Sequence, residues 1–283
     1  MQSSFPGHSE LPTEMRSAAL YWLGEPCARA KAQGVQALME SWKQGKVGLN
    51  PHDALFPSAS IPGRPERPEL VSPLSVKRRS MRTEEGRATL IHALAHIEFN
   101  AINLALDAVW RFPEMPNDYY ADWLKVAAEE ALHFSLLESH LRVLGHAYGA
   151  FPAHNSLWDM AEKTGHDALA RMALVPRTME ARGLDATPAV RAKLAQAGDT
   201  AAAEILDIIL RDEIGHVAIG NRWYAWLCAQ RNLDAVATYR TLARQYKAPT
   251  LRRPFNMEAR RAAGFSEEEL IALEESADTP IES

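Results

Sequence analysis

Apolar residues recur at intervals of three and four along three long stretches of this chain, the spacing that lines one face of an α-helix. The first stripe is Ile91, Leu94, Ala95, Glu98, Ala101, Ile102 and Ala105. The second is Trp123, Val126, Ala127, Glu130, His133, Phe134, Leu137 and Leu141; the third is Leu206, Ile209, Leu210, Glu213, His216, Val217 and Gly220. Each is apolar but for a glutamate, and in two of them a histidine follows three residues later. A carboxylate on a core-facing stripe is costly unless it is paired or bound to a metal.

From Thr83 onward the pattern predicts an all-α chain with no strands. Helix one covers about 83–111, with Thr83 as its N-cap and Glu84 and Glu85 in the first turn. Phe112 to Pro116 form a turn, and helix two covers about 117–144, stopping near Gly145. Helix three is expected over 156–182, ending at Gly183. Thr187-Pro188 then starts a short helix that ends near Gly198. Asp199 caps helix four, which runs to about 230, and another helix follows at 233–246. Ser266 and Glu269 form a capping box in the tail. Ahead of all this, 13–45 reads as one helix with Leu20, Trp22, Leu23, Val35, Leu38, Met39 and Trp42 as its apolar members. The segment 46–75 holds six prolines, which exclude regular structure. Its Leu55, Phe56, Ile61, Leu70 and Val71 call for a strap packed over the body. The expected organisation is therefore 1–82 as N-terminal helix and strap, 83–231 as the helical body, and 232–283 as a C-terminal helical extension.

Composition narrows the function classes. Hydrophobic content of 47% supports a large core, and a net charge of −5 offers no footprint for nucleic acid or an anionic membrane. The basic run at 76–82 reads as a solvated face. No run of 18 apolar residues and no apolar signal core at the N-terminus are present. Cys27 and Cys228, far apart and without metal-ligand spacing, fit reduced thiols. The expectation is a cytoplasmic protein that meets neither nucleic acid nor membrane.

With 24 Glu and 10 His in 283 residues, chance alone yields 24 × 10/283, about 0.8, Glu-x-x-His matches. The apolar setting of Glu130-Ala131-Leu132-His133 and Glu213-Ile214-Gly215-His216 is what makes them informative. Glu98 and Glu130 have their midpoint at 114, inside the turn, so in an antiparallel hairpin they reach the same height. Glu180 precedes Glu213 by 33 residues, and Glu98 precedes Glu130 by 32, as a duplicated hairpin would have it. Glu162 and Glu204 are the alternatives to Glu180 in this role. Four carboxylates and two imidazoles then match the ligand set of two metal ions in a helical bundle: one Glu from each of two helices and Glu-x-x-His from each of the others. Oxygen and imidazole donors favour iron or manganese over structural zinc.

The blocks His92 to Glu98, Val126 to Phe134, Pro176 to Asp185 and Arg211 to Ala218 resemble those of the ferritin-like di-iron or di-manganese carboxylate proteins. The chain is most similar to a bacterial ferritin-like family of unknown function, over about 60–250. The resemblance implies a ferritin-like four-helix bundle with an extra N-terminal helix, a proline-rich strap and C-terminal helices. It implies metal ligation by Glu98, Glu130, His133, Glu180, Glu213 and His216, with two iron ions, two manganese ions or a mixed pair as cofactor. By similarity to ribonucleotide reductase small subunits and bacterial monooxygenases, which share an Asp-Glu-x-x-His block, Asp212 would orient His133. Glu129 occupies the equivalent place and would orient His216.

The leading expectation is an oxidoreductase that activates dioxygen or peroxide to oxidise or hydroxylate a small organic substrate, with an electron-donor protein and a homodimer among its partners. Iron oxidation or storage is the first alternative, and a structural helical bundle the second. His92 and His96 read as surface residues or as orienting groups, His140 as a helix-end or solvent residue, and His154 as part of a loop. Trp110, Trp123, Trp158, Trp223 and Trp226 read as core, and Gly215 and Gly220 as sites of close helix packing.

Overall fold

The structure, a computed structural model, describes residues 12–75 and 80–278. Among these residues there is no strand; two isolated bridges, Glu14 with Gly48 and Leu70 with Ala153, pin loops. The segment predicted as one N-terminal helix is two, α1 (Met15–Gly24) and α2 (Ala28–Lys43). Pro26 separates them, because its ring cannot follow a helical turn and it lacks the N–H a continuous helix needs. Glu14 caps α1, accepting from the Arg16 and Ser17 amides.

The strap at 46–75 lies against the body, as its apolar residues require, and buried cations hold it. The Arg16 guanidinium donates to the carbonyls of Asn50, Pro51 and Asp53 in the strap and of Trp110 in the body. Lys31 donates to the Leu23 and Gly63 carbonyls and to the Asn103 side chain. Leu55 and Ile61 pack on the core, but Phe56 is 81% exposed and Leu70 40%, so the strap buries only part of its apolar set. Residues 76–79 of the basic run lie outside the described residues.

Helix α3 (Glu84–Arg111) is capped by Thr83, whose side chain accepts from the Gly86 amide. Helix α4 (Asn117–Val143) returns antiparallel to it. The turn is closed by Tyr120, whose hydroxyl donates to the Phe112 carbonyl and accepts from the Met115 amide. Helices α1 and α2 pack on this hairpin.

The expected helix at 156–182 is divided. Helix α5 (Ser156–Lys163) ends where Thr164 turns its hydroxyl onto the Met160 carbonyl. Helix α6 (Ala168–Leu174) starts at its cap Asp167, passes through a π-helical stretch, Val175–Glu180, and continues as α7 (Ala181–Gln196). The expected stop at Gly183 and new start at Pro188 are therefore absent: the helix runs through both. Pro188 leaves the Leu184 carbonyl without its i+4 donor, and Asn256 from the C-terminal segment supplies a side-chain amide at 3.2 Å. Asp199 caps α8 (Thr200–Gln230), accepting from the Ala202 amide.

The second hairpin, α6–α7 with α8, meets the first along α4 and α8. Helix α9 (Ala235–Gln245) packs on α6 and α8, and α10 (Met257–Ala262) on α7 and α8. The Ser266–Glu269 capping box forms reciprocally at the start of α11 (Glu267–Asp278). Trp110, Trp123, Trp158 and Trp223 are core, with Trp226 half-buried beside them.

The two glycines of α8 differ in what they allow. A Cβ at Gly220 would lie 2.4 Å from the Pro176 Cβ, whereas one at Gly215 meets nothing within 4 Å. Gly220→Ala should therefore destabilise the fold by about 1–3 kcal/mol through overpacking of the π-helical stretch. Gly215→Ala should stabilise it by up to about 1 kcal/mol through helix propensity. Urea midpoints of the two variants check this; equal shifts in the same direction would contradict the packing account.

Candidate metal centre

Four helical segments each place a glutamate toward one layer of the core. Helix α3 supplies Glu98, α4 supplies Glu130 and His133, the end of the π-helical stretch supplies Glu180, and α8 supplies Glu213 and His216. Glu98, Glu130, His133, Glu213 and His216 are all buried. Two sets have donor atoms within 4.8 Å of one another and could each hold a metal ion: Glu98, Glu130 and His133, and Glu130, Glu213 and His216.

Glu130 belongs to both sets, and its two oxygens divide between them. Its Oε2 lies 3.4 Å from His133 Nδ1, and its Oε1 lies 3.0 Å from His216 Nδ1. Glu98 Oε2 is 3.3 Å from His133 Nδ1, and Glu213 Oε2 is 3.8 Å from His216 Nδ1. The two imidazoles are 5.8 Å apart, centroid to centroid.

The far nitrogens are held across the hairpins. His133 Nε2 lies 3.1 Å from Asp212 of α8, and His216 Nε2 lies 3.0 Å from Glu129 of α4. The residue before each core glutamate thus reaches the histidine of the other helix. Those carboxylates are pinned in turn: Asp212 accepts from Arg211 at 2.8 and 3.0 Å, and Glu129 is 3.2 Å from Lys125. Fixing the Nε2 proton on a carboxylate turns the Nδ1 lone pair inward, the geometry a ligand imidazole needs. For Arg211 and Lys125 the sequence offers a single signal, the i, i+4 spacing of Lys125 and Glu129.

Glu180 faces this layer but stands outside both tight sets. Contrary to the sequence expectation it is not at a helix end; it closes the π-helical stretch inside a continuous helix. Isolated π-turns of this kind concentrate at functional sites. Of the alternatives, Glu204 is exposed and Glu162 accepts from Trp158 Nε1 at 2.8 Å; neither belongs to either set.

The electrostatics are those of too many carboxylates in one dry place. Burial and the neighbouring Glu130 push the Glu98, Glu180 and Glu213 carboxyls up, Glu180 to about 8. Burial opposes charge on Glu130 as well, but His216 and His133 overcome it and hold that carboxyl well below the usual range. Against their own burial, the surrounding carboxylates raise His133 to about 12 and His216 to about 10. Even so, Glu180 Oε2 and Glu213 Oε2 are buried with no hydrogen-bond partner, and Glu98 Oε2 and His216 Nδ1, though near His133 and Glu130, make no well-aligned hydrogen bond. Donor atoms in this condition, converging on one layer, are what a bound cation would satisfy.

The remaining histidines correct the sequence reading in part. His92 and His96 are buried, not on the surface, and stand outside both sets. His92 Nε2 accepts from the Gly149 amide at 2.9 Å, and His96 Nδ1 lies 2.8 Å from the Tyr148 hydroxyl, so the pair anchors the 148–154 loop. The His154 carbonyl in that loop lies 3.2 Å from His96 Nε2. His140 stands in the last turn of α4, the helix-end position expected, but not in solvent: it is buried and lies 2.9 Å from Asp199, the cap of α8. Cys27 and Cys228 are unpaired. Among the described residues no helix is long and apolar enough to cross a membrane.

Residues 24–271 match the family described as "Protein of unknown function (DUF455)", and the chain belongs to that family. It is also similar to a Haemophilus influenzae protein named "Uncharacterized protein", with 51% identity over 231 residues, 79% of this chain and 80% of that one. No solved structure matches the chain.

The raised groups set a pH dependence for the metal-free protein. Glu98, Glu180, His133 and His216 all bind protons more tightly in the folded chain than in the unfolded one, where carboxyls titrate near 4.5 and imidazoles near 6.5. Between about pH 6.5 and 8 the folded state therefore holds the extra protons, and stability falls as pH rises. The melting midpoint of chelator-treated protein should drop across this window. A midpoint that rises between these pH values would contradict the arrangement.

Proposed function

We propose that this DUF455 protein is a ferritin-like four-helix bundle that holds two transition-metal ions, iron, manganese or one of each, and serves as an oxidoreductase acting on a small organic substrate. The observation that carries the reading is Glu130, one carboxylate whose two oxygens face two different Glu/His sets. Charge supports it. Without metal the cluster tolerates its four carboxyls only by pushing three of them toward the protonated form, whereas two divalent cations would balance four ionised carboxylates and free both Nδ1 atoms to act as ligands. The donor set of carboxylate oxygen and imidazole nitrogen suits iron and manganese.

A di-iron or di-manganese pair, when bound, supplies activation of dioxygen or peroxide for oxidation of a substrate. The chain's residues provide the setting. Glu98, Glu130, His133, Glu213 and His216 would hold the ions, and Glu180, with its unpartnered Oε2, would complete the set from the π-helical stretch. Asp212 and Glu129 keep the imidazole protons on Nε2. Ala101, Ala105, Ala127, Phe134, Leu206 and Val217 exclude water around the layer. In this reading 83–231 is the bundle, and the described residues of 1–82 and of 232–283 cover it.

Protein purified without chelator should carry about two equivalents of transition metal, measured by mass spectrometry and placed by anomalous scattering at the iron and manganese edges. Less than one equivalent would sink the proposal. Glu130→Ala should lose both ions, and unchanged metal content in that variant would show the ligand set to be wrong. Asp212→Ala should keep the fold and weaken metal affinity by roughly 10–100-fold. Conversion of excess ferrous iron into a mineral core would assign the centre to iron storage instead of substrate oxidation.

A further inference from the structure

A cavity of about 670 Å³ opens between α9, the 248–251 segment and α11, and shares no residue with the carboxylate–imidazole layer. Its size falls within the range of sites for small organic ligands, about 300–1,000 Å³. Val236, Ala243, Leu251, Ala272 and Leu273 give it apolar walls. At one wall sits Arg177, 5% exposed, whose guanidinium lies 4.3 Å from the Tyr224 ring centre, 5.1 Å from that of Phe265 and 5.6 Å from that of Tyr239. One edge of that guanidinium meets Glu269 at 2.5 Å, while its Nε is buried and has no partner. Arg240 and Arg244, both exposed, also line the cavity, and neither forms an ion pair among the described residues.

We propose that this cavity binds a small organic monocarboxylate with an aliphatic body, its head group against Arg177. Glu269 takes only Nη2 of Arg177, and a carboxylate is the planar acceptor that can share the guanidinium from the cavity side. Glu269 at the same wall repels a phosphate dianion more strongly than a monoanion. The apolar walls remove an alkyl chain from water, and Arg240 and Arg244 add positive potential around the cavity. The site is separate from the metal centre and stands whether or not metals bind: Arg177 and Glu180 share the π-helical stretch, Arg177 toward the cavity and Glu180 toward the core layer.

Decanoate is the probe, titrated calorimetrically into the full chain beside decanol and inorganic phosphate. The expected result is saturable one-to-one binding of decanoate, with decanol and phosphate at least about tenfold weaker. Ala272→Trp, which fills the cavity from α11, should weaken decanoate at least about tenfold while helical circular dichroism is retained; Arg177→Gln should do the same. The proposal is overturned by absence of saturable decanoate binding, by decanol or phosphate binding as tightly as decanoate, or by wild-type affinity in the folded Ala272→Trp variant.

Discussion

The structure is organised around the cost of one carboxylate, Glu130, buried between two imidazoles. A charge in that position is tolerable only if its partners cannot drift, because in a medium of low dielectric a lost partner costs several kcal/mol. Much of the surrounding architecture meets that requirement. The Tyr120-closed turn fixes the height of Glu98 against Glu130. Cross-links from Asp212 to His133 and from Glu129 to His216 tie α4 to α8 at the level of the layer. His140 on the cap residue Asp199 joins the same two helices at another level.

A second buried charge cluster in the same core shows what a purely structural solution looks like. Asp107 on α3 receives Arg111 and Trp110 from its own helix and Arg171 from α6. Arg171 also donates to Thr164 and to the Ala161 carbonyl. Both oxygens of Asp107 are partnered, and despite its burial Arg171 and Arg111 hold its carboxyl below the usual range. The glutamate layer is the opposite case: three carboxyls pushed up and four donor atoms without a well-aligned hydrogen bond. Since buried polar atoms in folded proteins are overwhelmingly paired, the contrast within one core points to a ligand at one cluster and to completed packing at the other.

Much of this was legible from the sequence because it is local. Helix caps at Thr83, Asp199 and Ser266 act within three residues, and Glu98 and Glu130 sit symmetrically about a turn that Pro113 and Pro116 mark. What escaped was set by distant chain. Pro188 reads as a helix start until Asn256, 68 residues away, is seen to satisfy the carbonyl it leaves free. For His92 and His96 the sequence leaves a surface place and an orienting role both open, and only the 148–154 loop that covers them excludes the surface. The break at Pro26 was readable by the same rule that excluded structure from the strap, but the apolar pattern on both sides of it reads as one helix. The tight sets of the layer contain the five residues on uninterrupted stripes, and Glu180, which rests on repeat spacing and on the resemblance of its block, is the one that stands apart.

The π-helical stretch explains how Glu180 faces the layer from inside a continuous helix rather than from a helix end. Its wider hydrogen-bond step, from the Ala181 amide to the Pro176 carbonyl, shifts every later residue of the helix out of α-helical phase. The sequence supports that step locally. Pro176 has no amide to hold an α-helical bond, and the Thr178 hydroxyl takes the Ala173 carbonyl five residues back. Gly220 on α8 admits the Pro176 ring, so the wide turn is seated against the helix that carries Glu213 and His216. A rigid α-helix through the same residues would aim Arg177 and Glu180 differently. Three features of the chain, a proline and a threonine two residues apart and a glycine 42 residues further on, thus converge on one purpose: to bring a carboxylate to the core layer from a helix whose regular geometry would not deliver it.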